Sequence, residues 1–452
     1  MSLFHAYDIR GMFANELGID DAYRIGFFLP RLLNADRLLV GRDCRESSPE
    51  LFQALARGIC DAGADVDDVG LATTPMVYWL TAELAYAGSV CITASHSPPN
   101  HNGFKISGPG SRPIGAEAGL KRLERWVRGE AVAPVAKRGR VRVIHERERY
   151  LSFLRAYLPS LKGLKLAVDT GNGMGGLFAR ELLGESADYL FEHLDGRFPN
   201  HGPDPLNPKN REALADHVRE HGCDLGIAFD GDADRVFFLD ETGAMAPPDL
   251  ILAVLADYFL SRGEPNITVV QDLRSSRSVA EYLLPRGATI DTWKVGRANG
   301  SARLRELDAT LGGELAGHYY FRDFAYSDSA MLAMLLVLDV FGRWKSSGRG
   351  SFSSLIAVIR RYHGSGEINF RVSDTDAAIR HLASKAPTMG AIKSTLDIDG
   401  VRVEYRDWWF CVRASNTEPL LRLVVETRDP ALTDERVGQL SAEIAPFVAS
   451  NP

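Results

Sequence analysis

The chain has 452 residues, 45% of them hydrophobic and 25% charged, with no low-complexity segment. At roughly 100–200 residues per domain it is too long for one core, which predicts three or four. A formal net charge of -7 argues against a nucleic-acid surface and leaves room for small anionic ligands held by a few local cations. Cys44, Cys60, Cys91, Cys223 and Cys411 form no CxxC pair, which excludes a disulfide framework and points to a reducing compartment.

The opening MSLFHAYDIRG lacks a basic region followed by an apolar run, so no signal peptide is expected. In chain order, a strand at 37–40 precedes a helix at 49–62, and a strand at 89–92 ends in a loop of small residues. Strands at 164–168, 225–229 and 268–271 follow among helical patterns, the last leading to a helix at 278–284. Such alternation predicts α/β layers over mostly parallel sheets, with ligand loops at the carboxyl ends of strands. The longest apolar run, 330–338, is too short to span a bilayer and reads as a buried helix. The expectation is a cytoplasmic protein with no membrane partner. Connectors are expected at 128–142, 243–248 and 345–354. Beyond about 364, strands at 367–372, 394–398, 401–405, 408–414 and 421–426 outnumber helices, as in a small α+β domain.

Four loops carry candidate chemistry. Thr93-Ala-Ser-His-Ser-Pro-Pro closes the strand at 89–92. Its small residues and prolines make a stiff loop that presents Ser95 beside His96, with Lys105 close behind; this suits a phosphoryl carrier, and without companions it is also an ordinary loop. Asp230-Gly-Asp-Ala-Asp-Arg235 follows the strand at 225–229. Asp230, Asp232 and Asp234 repel unless a cation lies among them, and oxygen ligands favour Mg²⁺ or Ca²⁺ over zinc. An EF-hand is disfavoured although Glu241 sits at its twelfth position, because Arg235 replaces the sixth-position glycine and 236–239 reads as a strand. Gly313-Glu-Leu-Ala-Gly-His318 places Glu314 where it can accept from two vicinal hydroxyls, or is a plain turn. Arg413-Ala-Ser-Asn-Thr-Glu-Pro, with Arg422 beyond it, offers a guanidinium, hydroxyls and exposed N–H groups to a phosphate, or is a polar turn. Gly171, Gly173 and Gly176 match the dinucleotide pattern, with Glu192 downstream, but as a lone match read better as close helix–strand packing.

Taken in order, from Tyr7-Asp-Ile-Arg-Gly11 to the loop at 413–419, these motifs resemble the α-D-phosphohexomutases, specifically the bacterial phosphomannomutase/phosphoglucomutase type. The resemblance implies an α/β fold: three related α/β domains with mixed sheets (1–147, 148–246, 247–360) and a C-terminal α+β domain (361–452) around a central cleft. It implies that Ser95 is a phosphoserine, and that Mg²⁺ is held by Asp230, Asp232, Asp234 and an oxygen at Ser95. Glu314 would read the sugar hydroxyls with His318 nearby. Arg413, Ser415, Asn416 and Thr417, with Arg422, would grip the phosphate that is not reacting. Tyr7, Arg10, His96, Lys105 and Arg235 would line the reaction centre, and Arg274 and Arg297 would meet substrate. The expected activity is reversible transfer between C1 and C6 of mannose or glucose phosphates, through a 1,6-bisphosphate that also serves as activator, in a monomer or homodimer. Phosphoglucosamine mutase is the alternative, and a metal-dependent sugar phosphatase a more distant one.

Two positions depart from the family pattern. Ala316 stands where Ser is usual, and Arg297 where phosphomannomutases of this type often carry His. A guanidinium stays protonated and is a poor base, so Arg297 is expected to bind phosphate. Arg274, where Lys is common, keeps the charge. Leu315 stands where phosphoglucosamine mutases commonly have Gln.

Overall fold

Four sheets hold the strands of the chain in its computed structural model, which describes residues 3–415 and 420–449. The first has six strands in the order Ile9–Met12, His101–Ser107, Ser89–Ile92, Arg37–Arg42, Asp65–Leu71, Val141–Val143. The second runs Val236–Leu239, Leu225–Phe229, Leu166–Asp169, Ala187–Leu190, and the third Thr289–Trp293, Thr268–Asp272, Leu311–Gly313, Tyr319–Phe321, Ser327–Asp328. In each of these the central strands are parallel and one side ends antiparallel. The fourth is wholly antiparallel, ordered His363–Arg371, Leu420–Thr427, Trp408–Ala414, Val401–Glu404, Ser394–Asp397.

The central strands Ser89–Ile92, Leu166–Asp169 and Leu225–Phe229 are buried at every position. Layers on both faces demand such continuous apolar runs. The run beginning at Ala330 is buried through Leu338 inside the helix Ala330–Ser346, which packs on the helix Pro248–Ser261. No helix among the described residues is long and apolar enough to cross a membrane. One continuous apolar core reaches from Leu39 to Ile359, while the fourth sheet has a core of its own, from Val372 to Ile444. Most of the first unit packs around a further core, from Ile9 to Val127, and a small cluster of Leu273, Trp409, Cys411 and Val424 joins the last unit to the third.

The connector expected at 345–354 is shorter than its composition suggests. The helix Ala330–Ser346 runs into it, and Ser351 caps a further helix, Phe352–Ile359, by accepting from the Ser354 N–H. More consequential is where the candidate loops fall. Each lies at the carboxyl end of a strand, and the next strand returns antiparallel in all four cases, as the sequence indicates at 236–239 and 421–426 and does not at the other two. Ser95 lies between Ser89–Ile92 and His101–Ser107, and Asp230 to Arg235 between Leu225–Phe229 and Val236–Leu239. Glu314 to His318 lies between Leu311–Gly313 and Tyr319–Phe321, and Ser415 between Trp408–Ala414 and Leu420–Thr427. A hairpin return gives each loop a second strand to carry groups; Lys105 sits opposite Cys91 on the returning strand beside Ser95.

Candidate active site

Ser95 is buried, with φ of 51°. A non-glycine residue seldom adopts this left-handed conformation, and strain of this kind gathers at functional positions. Thr93 Oγ1 accepts from the Ser95 N–H at 2.9 Å. The buried guanidinium of Arg45 holds the rest of the loop. It donates to the carbonyls of Ser95 (2.8 Å), Ser97 (2.7 Å), Pro98 (2.6 Å) and His101 (3.1 Å), and is itself fixed by Asp43 at 3.1 Å. The Ser95 hydroxyl donates to Asp230 Oδ2 at 3.0 Å and lies 3.2 Å from His96 Nδ1.

Asp230, Asp232 and Asp234 are fully buried, and a carboxylate oxygen of each lies within 4.8 Å of the others. Lys105 bonds Asp232 Oδ2 at 2.6 Å and also Asp234. Arg235 Nε donates to Asp230 at 2.9 Å, and the Thr74 hydroxyl to Asp232 at 2.5 Å. Asp232 Oδ1 and Asp234 Oδ1 are buried acceptors with no hydrogen-bond partner among the described residues. Two orphaned carboxylate oxygens in an all-oxygen cluster fit a hard divalent cation. Burial and the neighbouring Asp234 push the Asp230 carboxyl up to about 7, against the pull of Arg235. Burial works against the Lys105 ammonium, yet Asp232 and Asp234 hold it well above the ordinary lysine range.

The loop from Glu314 to His318 is tied to the carboxylate loop: Val236 N–H donates to Gly317 O at 3.3 Å, and Leu315 N–H to Asp272 Oδ2 at 2.9 Å. His318 Nδ1 lies 2.7 Å from Asp328 and 3.9 Å from Asp234. Burial opposes its protonation, but Asp234 and Asp328 raise its pKa above the ordinary value. His96 is the opposite case; burial, then Arg235, Arg10 and Lys105, lower it well below the ordinary imidazole value. Glu314 accepts from the Tyr320 hydroxyl at 2.5 Å. Arg297 Nε donates to the other oxygen of Asp328 at 3.2 Å, and its guanidinium lies 3.7 Å over the Tyr78 ring. One of its terminal nitrogens is buried without a partner among the described residues. Ala316 lines a cavity of about 480 Å³ that it shares with Arg274, Leu315, Glu367 and Arg422.

Among the expected residues, Ser95, His96, Lys105, the three aspartates, Arg235 and His318 thus share one centre. Arg10 joins through Ser97, whose hydroxyl accepts from it at 3.0 Å, and pairs with Asp8. Tyr7 donates to Val295 O at 3.2 Å, bridging the first and third units. Arg274 and Arg422 are both turned onto Glu367, each at 2.9 Å. Arg413 faces Asp399 at 3.4 Å, and Asp399 also accepts from Val295 N–H at 3.1 Å. Ser415 N–H donates to Leu420 O at 2.8 Å; Asn416 and Thr417 lie outside the described residues. The glycine-rich loop packs closely against its neighbours. A Cβ at Gly176 would fall 2.2 Å from Glu192 O, and Met174 N–H donates to Gly231 O at 2.9 Å, so this loop buttresses the carboxylate loop.

Sequence reasoning missed Arg45, Tyr78, Asp272, Tyr320 and Asp328. Asp43 and Arg45 carried a usable signal: both follow an apolar strand directly, where ligand loops gather. Asp328 carried none, because its partners lie 10 and 31 residues away.

Descriptions of the phosphoglucomutase/phosphomannomutase family match the chain in four successive pieces: α/β/α domain I at residues 1–130, domain II at 148–243, domain III at 247–362 and the C-terminal domain at 367–445. A protein named phosphohexose mutases from Xanthomonas campestris pv. campestris is 38% identical over 449 residues, covering 97% of this chain and 98% of that one. A phosphomannomutase of Escherichia coli is 38% identical over 458 residues, covering 98% and 99%. The crystal structure of a phosphoglucomutase/phosphomannomutase family protein from Burkholderia thailandensis superposes with a TM-score of 0.89 at 30% identity, over 98% of this chain and 97% of that one. The chain belongs to the phosphoglucomutase/phosphomannomutase family. It is a phosphohexomutase, an isomerase that moves a phosphoryl group between C1 and C6 of a hexose phosphate.

Proposed function

We propose that Ser95 is the phosphoryl carrier of this mutase, that mannose and glucose phosphates are its substrates, and that Mg²⁺ is its metal. The observation that carries the reading is the Ser95 hydroxyl, strained, buried and hydrogen-bonded to Asp230 at 3.0 Å. A phosphoryl group on that oxygen would add its charge to three carboxylates already faced by Lys105, Arg235 and His318, so the loaded state calls for a divalent cation. Asp230, Asp232 and Asp234 would hold Mg²⁺, which when bound supplies charge stabilisation to the transferring group.

Transfer out breaks the bond from phosphorus to Ser95 Oγ and forms one to the free hydroxyl of a hexose monophosphate. The proton of that hydroxyl leaves and Oγ gains one. His96, neutral and 3.2 Å from Oγ, is placed to carry that proton in both directions. His318, kept cationic beside Asp328, offers its charge to the phosphoryl oxygens. Glu314 accepts from the sugar hydroxyls, while Arg413, Ser415, Asn416 and Thr417 hold the distal phosphate. Arg274 and Arg422 would exchange Glu367 for that phosphate when substrate enters. The bisphosphate then reverses end for end and returns its other phosphoryl group to Ser95. Loss of the intermediate before return leaves Ser95 empty, so a trace of hexose 1,6-bisphosphate reloads the enzyme. In this reading the units 1–147, 148–246, 247–360 and 361–452 each contribute one hairpin loop.

A coupled assay with mannose 1-phosphate, glucose 1-phosphate and glucosamine 1-phosphate, in Mg²⁺ and trace bisphosphate, tests the substrates. The first two should isomerise faster than the third; a preference for glucosamine 1-phosphate would overturn the assignment. Ser95→Ala should fold normally and lose nearly all turnover, and wild-type turnover in that variant would remove Ser95 from the mechanism.

A further inference from the structure

The far end of the second unit holds a cluster that the mutase reaction does not use. Asp188 stands on the edge strand Ala187–Leu190. His217 and His221 lie one turn apart on the helix Glu212–His221, so they share a face, and Cys223 follows one residue beyond the helix. Gly222 ends that helix with φ of 61°, and both its N–H and that of Cys223, the latter at 2.9 Å, donate to Val218 O. This turn folds Cys223 back beneath the last helical turn. His217 Nε2 lies 3.0 Å from Asp188 Oδ2, and one donor atom from each of Asp188, His217 and Cys223 falls within 4.8 Å of the others. The His221 ring stacks on that of His217 with centroids 3.9 Å apart.

We propose that Asp188, His217 and Cys223 form a second metal site, selective for a borderline-soft divalent cation such as zinc, with His221 or water completing a tetrahedron. The donor set is one sulfur, one nitrogen and one oxygen, against the oxygen-only set of the aspartate trio, so the two sites select different ions. Thiolate, carboxylate and neutral imidazole together carry two negative charges, which one divalent cation cancels. Binding replaces the Cys223 S–H bond with a metal–sulfur bond and releases the proton to solvent. Cys223 is buried, but Asp188 and His217 are partly exposed, which leaves the ion a way in from the strand edge.

Cys223 stands before the amino end of the strand Leu225–Phe229, and Asp230 follows its carboxyl end. Six residues lie between Cys223 and Asp230, so along the extended chain the sites are roughly 23 Å apart. The ion would tie edge strand, helix and central strand together without touching the reaction, so it is a brace and not a catalyst.

The test uses the full chain, stripped with chelator and returned to Mg²⁺ buffer. Cobalt(II) is the spectroscopic probe, because a thiolate ligand gives a near-ultraviolet charge-transfer band. One equivalent of cobalt should raise that band, one equivalent of zinc should abolish it, and zinc should raise Tm by a few degrees. Cys223→Ser should lose the band and the Tm response while keeping wild-type mutase turnover, which also verifies its fold. His217→Ala, altered at a partly exposed position, should weaken the response in the same direction. No band in the wild type, or a band that survives Cys223→Ser, would overturn the proposal, the latter assigning the metal to another thiol.

Discussion

The Lys105 ammonium lies 2.6 Å from Asp232 and also bonds Asp234, so a lysine of the first unit pairs with two buried carboxylates of the second and offsets one of their two charges. Removing one partner of a buried ion pair typically costs about 3–5 kcal/mol, because the other charge is left uncompensated. Lys105→Ala should therefore be destabilised by roughly that amount in metal-free buffer, and Mg²⁺ should restore most of the loss. Unfolding in urea with and without Mg²⁺ measures both. A variant as stable as wild type in chelator would show that the ammonium does not perform this task.

Arg297 and His318 grip opposite oxygens of Asp328, at 3.2 Å and 2.7 Å. The guanidinium also covers the face of Tyr78. Arg297→Lys keeps the charge but gives up the planar contact, and an ammonium does not reproduce stacked guanidinium geometry. We expect Arg297→Lys to lower kcat/KM by about tenfold or more, equivalent to ~1.4 kcal/mol of lost positioning. Arg297→His, which keeps a planar ring with N–H donors, should do better than Arg297→Lys if orientation of Asp328 is what matters. Equal activity in all three would make the arginine a bystander.

Much of this site was legible in the sequence because each loop is short and its groups are neighbours in the chain. Asp230 to Arg235, or Glu314 to His318, needs no tertiary knowledge to be seen as a cluster. What the sequence hid was the return strand at two of the four loops: 236–239 and 421–426 read as strands, whereas His101–Ser107 and Tyr319–Phe321 did not. An apolar run such as 89–92 looks the same whether a helix or an antiparallel strand follows. Arrangements that cross units were equally silent. Glu367, held between Arg274 of the third unit and Arg422 of its own, joins groups 93 and 55 residues apart, and no local pattern marks it.

His96 lies against Ser95, and burial first, then the nearby cations Arg235, Arg10 and Lys105, keeps its imidazole neutral. A base with a lowered pKa is competent above that pKa and fails only as the pH drops through it. The acid limb of the kcat profile assigned to His96 should therefore lie below the ordinary imidazole range, near 6.5. His96→Asn should lower kcat by about 10²–10⁴-fold and abolish that limb. An acid limb in the ordinary imidazole range that persists in His96→Asn would assign the proton to another group.

Glu426 is a buried carboxyl at the join between the third unit and the last. It accepts from Trp409 Nε1 at 2.5 Å and from Arg277 N–H at 3.1 Å, and the Arg277 side chain continues across the same join to the carbonyls of Tyr405 and Arg406. Burial pushes Glu426 from its ordinary 4.5 up to about 7, with Asp249 adding and Ser276, Trp409 and Arg402 opposing. Because the folded value is the higher one, the folded state binds more protons between these limits. Stability from this group is complete below 4.5 and is lost as the pH rises through 7. A shift of this size corresponds to ~3 kcal/mol across the window. Glu426→Gln keeps the shape and an acceptor for Trp409 but cannot ionise. Relative to wild type, the variant should gain about 3 kcal/mol between pH 5 and pH 8, read from urea unfolding at the two pH values. If the difference between the two proteins does not change with pH, Glu426 does not titrate in this range, and the join is held in one charge state throughout.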